Sequence, residues 1–269
     1  MTGVPRPAGG RPRVPGVQAG PGSIEELLER MRALLAPLEE KQDDRRHFLA
    51  TYLRTTVAVH EDLKRGGFVD AAWVERWDVV FAGLYLDAIE QWNHGERPAE
   101  PWAVAFEAAD DERVPPLRHV LLGMNAHVNY DLPQSLLATI SDEEFADPAV
   151  LARRSEDHTH IDAILASRVD AEDKELQKVE LPGDRTVLDK LLTPFNQAAT
   201  KRFLTEARRK VWHNAKALAE ARRSGPDALA ARLAELEELS RVRVATLRVP
   251  GQVLMKLAIK GFGVQLPPG

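Results

Sequence analysis

The chain has 269 residues and a formal charge of −5, with 41 acidic against 36 basic side chains, so bulk charge gives it no hold on nucleic acid. The lack of cysteine removes disulfides, zinc ribbons and thiol nucleophiles, and fits a reducing, cytoplasmic setting. Abundant Ala, Leu, Glu and Arg favour helix, no alternating β-branched run is long enough to seed a sheet, and no apolar run reaches membrane-spanning length. The expectation is an all-α fold, a single multi-helix bundle over residues 23–269.

Residues 1–22 are rich in Pro and Gly, carry Arg6, Arg11 and Arg13, and have no acidic residue and no apolar core of signal-peptide length; they read as a disordered, weakly basic tail. Order is expected from Ser23, which with Glu26 forms a capping box ahead of a helix to about Leu35, where Pro37 stops or kinks it. Asp43 or Asp44 starts the next helix, with Phe48, Tyr52, Thr56, Val59 and Leu63 on one stripe and Gly66-Gly67 at its end. Asp70 caps an aromatic helix through Trp73, Trp77, Phe81, Tyr85, Ala88 and Trp92 that closes at Asn93-His94-Gly95. Asp78 falls at the edge of its apolar face, and a short helix follows from Pro101 to Phe106.

The stretch Gly123-Met124-Asn125-Ala126-His127-Val128-Asn129-Tyr130-Asp131-Leu132-Pro133 is the most informative in the chain. At about 100° per residue, Val120, Met124, His127, Val128 and Asp131 share one helix face, and Asn125 and Asn129 stand one turn apart on its flank. Polar groups placed toward a core need partners: side chains, water or an ion. Pro133 predicts a kink or a fresh start, with Asp131 as a helix cap in the second case.

Asp147-Pro148 opens a helix whose apolar face holds Leu151, His158, Ile161, Asp162, Leu165 and Val169, with His160 on the solvated side. Residues 172–181 read as a short polar helix or loop, Asp184 caps a helix carrying Val187, Leu188, Leu191 and Leu192, and Pro194 breaks it. A long helix follows over 196–223, with Leu204, Arg208, Val211, Trp212, Ala215 and Leu218 on one side, then an amphipathic helix over 227–244. The apolar segment 253–266 is expected to pack on the domain or on a partner chain.

Two His-x-x-x-Asp pairs, His127/Asp131 and His158/Asp162, together with Asp78, make a set of nitrogen and oxygen donors that suits zinc, iron or manganese. On this reading the two pairs are the metal ligands. Asp78 completes the coordination or acts as general base, Asn125 and Asn129 with Tyr52 orient the substrate, and Arg208 steadies an anionic group. The metal-free reading makes each aspartate the partner that orients its histidine, and lays Arg208 along the core.

The eleven-residue stretch from Gly123 to Pro133 resembles the signature of a bacterial, mainly actinobacterial, family of unknown function, with further likeness around Phe81-Ala82-Gly83-Leu84-Tyr85 and in the His158/Asp162 helix. The paired inward His-x-x-x-Asp spacing is also similar to that of the zinc-dependent phospholipase C and P1-type nuclease group. That likeness implies a metal-activated water directed at a phosphoester, although the chain lacks that group's N-terminal Trp ligand and secretion signal.

Three function classes follow: a metal-dependent hydrolase of an ester or phosphoester, a metal-using oxidoreductase on a helical bundle, and a non-catalytic ligand-binding or scaffold protein. Inward aspartates in place of the glutamates of helical di-metal sites count against the second. The expected partner is a small molecule, and nothing in the sequence opposes a homo-oligomer.

Overall fold

The computed structural model describes residues 22–111, 113–179, 196–248 and 261–269. The predicted tail, except Gly22, the predicted helix carrying Val187 to Leu192 and most of the 253–266 segment lie outside the described residues. Every regular element among the described residues is helical, and none is a strand. The α-helices are α1 (Ile24–Glu40), α2 (Arg46–Lys64), α3 (Ala71–Asn93), α4 (Glu100–Glu107), α5 (Pro116–Ala126), α6 (Leu132–Thr139), α7 (Asp142–Ala146), α8 (Pro148–Val179), α9 (Asn196–Ser224) and α10 (Pro226–Arg248). A π-helical turn, His127–Asp131, joins α5 to α6.

The ends of the helices follow local chemistry. Ser23 caps α1 by accepting the Glu26 N–H at 3.3 Å, and Glu26 reaches back to the N–H of Gly22 at 2.6 Å. Pro37 does not stop α1: the helix continues to Glu40, because Leu38 on the far side of the proline is buried in the core. Asp70 caps α3 through the N–H of Trp73 at 3.0 Å. The polar run after residue 172 forms no separate element, since α8 continues unbroken to Val179.

The α5–π–α6 unit lies at the centre. It packs against α2, α3, α4, α9 and α10, so its side chains are enclosed from several directions. Two apolar clusters flank it, one around Phe48, Tyr52, Tyr85 and Trp102, the other around Trp73, Trp77, Leu136 and Val211. Gly123 lets α2 approach closely: a Cβ there would meet Phe48 at 2.4 Å.

The predicted kink at Pro133 takes a different form. The chain neither breaks nor restarts; it widens, and the N–H of Leu132 bonds to the carbonyl of His127, five residues back. The wider turn accommodates Pro133, which has no N–H to give and sits in the first turn of α6. Asp131 has ordinary helical backbone angles and makes no cap bond, which leaves its carboxyl for the interior.

Candidate functional site

The π turn places His127 and Asp131 side by side, with Nδ1 of His127 at 2.8 Å from Oδ2 of Asp131. Trp102 on α4 donates its indole N–H to the same oxygen at 2.9 Å. Phe81 on α3 stacks flat on the imidazole, centroids 3.7 Å apart at 7°, and Tyr52 on α2 meets it edge-on at 4.6 Å. Phe48, Tyr85 and Trp102 complete an aromatic box around the ring.

On and around the box, polar atoms outnumber partners. His127 Nε2, the Tyr52 hydroxyl, the Tyr85 hydroxyl and Oδ2 of Asp78 are all buried with no hydrogen-bond partner. With the Tyr52, Tyr85 and His127 rings in contact, the box has unmet bonding capacity, the condition that a water, an ion or a ligand relieves. Asp78 lies close enough to Tyr52 for its charge to weigh on the phenol.

Burial dominates the electrostatics. It pushes the Asp78 carboxyl up to about 7, so this group exchanges a proton near neutrality. It drives the His127 imidazole well below its ordinary value and the Asp131 carboxyl well above, the Trp102 hydrogen bond opposing the latter. In the singly protonated state of this pair, Nδ1–H donates to the carboxylate and Nε2 presents a lone pair; burial works against that state by favouring the protonated carboxyl, and the Trp102 N–H works for it by stabilising the carboxylate. Tyr52 and Tyr85 are held as neutral phenols, their titration raised first by burial.

The second pair occupies a different setting. His158 lies against Trp77 at 5.2 Å and Trp212 at 6.1 Å, with Nε2 at 4.0 Å from Asp162 Oδ1 and Nδ1 without a partner. Asp162 is taken up by an ion pair with Arg208 of α9. Burial brings His158 down to about 3, with Arg208 adding to the effect, and raises Asp162 to about 6 against the pull of Arg208. The stack of Phe81 on Trp77 stands between the two histidines. Among the described residues no three His, Asp or Glu side chains gather into a group that could hold an ion. The structure therefore brings together His127, Asp131 and Tyr52, with Asp78 within electrostatic range of Tyr52 but bonded to none of them; it joins Asp162 to Arg208 and leaves that pair with His158.

Asn125 and Asn129 serve the frame of the site. Asn129 donates to Asn125 Oδ1 at 2.9 Å and to the carbonyl of Phe262 at 3.2 Å, and its Oδ1 accepts the N–H of Val264 at 2.9 Å. Asn214 on α9 repeats the pattern on the next residues, donating to Val264 at 3.1 Å and accepting from Leu266 at 2.8 Å. The described C-terminal segment is thus held extended, with Phe262, Val264 and Leu266 buried and Gln265 exposed.

Several of these parts escape the sequence reading. Trp102 is not singled out there, although an indole N–H in the apolar run Pro101 to Phe106 requires a buried acceptor. The alternation at 262, 264 and 266 is a period-two signal for an extended segment. His160, read as solvated, is half-buried against Phe68 and bonds Asp62 at 2.5 Å. Asp157 and Arg154 are buried and fasten α8 to the start of α3, through Val69 N–H at 2.7 Å and Asp70 at 2.5 Å.

Comparisons with curated proteins and with solved structures found no match. The sequence matches a family described as "Family of unknown function (DUF5995)" over residues 24–250, which takes in every helix named above, and the chain belongs to that family.

Proposed function

We propose that the chain is a hydrolase of a small ester or phosphoester in which His127 activates water inside the aromatic box. The observation that carries this reading is the state of the imidazole: Nδ1 is tied to Asp131 while Nε2 is buried and unpartnered. An imidazole oriented by a carboxylate on one nitrogen is a general base at the other. Water between Nε2 and the substrate would give its proton to Nε2 as its oxygen attacks the acyl carbon or phosphorus. The neutral Tyr52 phenol is suited to donate to the oxyanion that develops, and Asp78, poised at about 7, to protonate the departing alkoxide. Because the box is closed to solvent, turnover on this reading requires the surrounding helices to part.

A divalent metal at His127 is the second reading, favoured by the same anchored Nδ1, since metal-bound histidines commonly give their other nitrogen to a carboxylate. His127 Nε2 would supply one ligand and Asp78 an oxygen, a donor set that suits zinc, iron or manganese. The metal would supply a hydroxide near neutral pH. A small-molecule substrate and a cytoplasmic setting belong to the same reading, the latter supported by the absence of cysteine.

The test is hydrolysis of p-nitrophenyl acetate and p-nitrophenyl phosphate by the chelator-treated chain and after addition of zinc, iron or manganese. Activity that falls by about 100-fold or more in His127→Gln, with helicity unchanged, supports the proposal. Activity equal in wild type and His127→Gln contradicts it, as does a wild type inert toward both substrates under every metal condition.

A further inference from the structure

Apart from the His127 box, α8 and α9 leave between them an open cleft of about 450 Å³, lined by Leu151, Ser155, Arg208, Arg209, Trp212 and Lys216 among others. Among the described residues no carboxylate lines it. Arg209 and Lys216 are exposed and form no ion pair among the described residues, unlike Arg208, which Asp162 neutralises. Both project from α9 on the face of Trp212, seven residues and about 10 Å apart along the axis, close enough for their long side chains to converge. Between them lies the indole of Trp212, whose N–H is buried with no partner. Leu151 adds an apolar wall and Ser155 a hydroxyl from α8.

Unpaired cations beside a flat apolar ring make a specific combination. We propose that this cleft binds a small organic anion, with a phosphate or carboxylate on Arg209 and Lys216 and a planar apolar body against Trp212 and Leu151. Arg offers a planar fork to such a group and Lys a mobile point charge, so both oxyanion types are accepted. The aromatic surface adds affinity that an inorganic ion cannot gain.

Isothermal titration of the full chain with phenyl phosphate, benzoate and inorganic phosphate tests the assignment. Phenyl phosphate and benzoate are expected to bind more tightly than inorganic phosphate, and to weaken as salt is raised. The double variant Arg209→Ala/Lys216→Ala, altered only at exposed positions, should weaken phenyl phosphate at least tenfold, and Trp212→Leu should abolish its advantage over inorganic phosphate. His127→Gln should leave binding unchanged, which separates this site from the proposed hydrolytic centre. No binding of either organic anion at millimolar concentration, or affinity untouched by the double variant, would overturn the proposal.

Discussion

Asn129 holds the backbone of Val264: its Oδ1 accepts the Val264 N–H at 2.9 Å, while its Nδ2 donates to the preceding Phe262 carbonyl at 3.2 Å. One amide thus replaces the neighbouring strand that an extended segment would otherwise need. The bond reaches from two residues beyond His127 to the end of the chain, so the frame of the π turn and the last described segment support one another. Glu206 adds a second clamp by accepting from the N–H groups of Phe262 and Gly263, each at 3.2 Å. Gly261 is required beside it, with φ of 71° and a Cβ that would meet Glu206 Oε1 at 2.7 Å.

Asn129→Ala leaves a buried N–H without an acceptor, and is expected to lower unfolding stability by about 1–3 kcal/mol. Asn129→Ala and Asn214→Ala share the segment they hold, so their effects should not be additive. Urea unfolding of the two single variants and the double variant checks this. An additive double variant would mean that the two asparagines act independently.

Gly123→Ala should destabilise the chain by about 1–3 kcal/mol, because α2 must retreat from the added methyl. Pairing it with Phe48→Leu should recover part of the loss. Thermal unfolding of the single and double variants measures the recovery; none at all would show that the contact in question is not the cause.

Asp78 makes stability depend on pH in a direction that can be worked out. Its carboxyl titrates at about 7 in the fold against an ordinary value of 3.8. Between those values the unfolded chain has lost the proton that the folded chain keeps, so this group's contribution falls as pH rises through the window. Asp78→Asn removes the effect. The variant should therefore gain on wild type as pH rises from about 4 to about 7, by at most about 1.4 kcal/mol per unit, and the gap should level off above. Asp162 acts in the same sense and His158 in the opposite sense, but both are common to the two proteins and cancel in the difference. Denaturant midpoints of both proteins across that range provide the check; a gap independent of pH would place the Asp78 proton elsewhere.

Much of the architecture is legible in the sequence because it rests on local rules. Ser23 and Asp70 mark helix ends by side-chain chemistry that needs no tertiary context. The stripe of Phe48, Tyr52, Thr56 and Val59 is buried as its spacing predicts. Pro37 and Pro133 show where local rules give way: in both places buried leucines on either side keep the helix running, in the second case by widening it into a π turn. A helical wheel puts His127 and Asp131 on one face, but it carries no information about the stack of Phe81 on Trp77 that stands between them and His158. Nor does it reveal that Arg208 answers Asp162, a partner 46 residues away.

Trp102→Phe tests the support given to the dyad. It keeps the ring in the apolar cluster but withdraws the N–H donated to Asp131. A loss of about 1–3 kcal/mol in stability is expected, with the dyad shifted toward its neutral carboxylic acid form. Equal stability of the two proteins would mean that the indole N–H does not hold the Asp131 oxygen.

The central claim is that Asp131 fixes the proton on Nδ1 of His127 and leaves a lone pair at Nε2. The most direct measurement is the ¹⁵N spectrum of the full chain labelled at histidine, with His127→Gln to assign the signals and Asp131→Asn as comparison. The account predicts, at neutral pH, a protonated Nδ1 and an unprotonated Nε2 for His127, with that preference lost in Asp131→Asn. A proton found on Nε2 in the wild type, with Nδ1 bare, would contradict it.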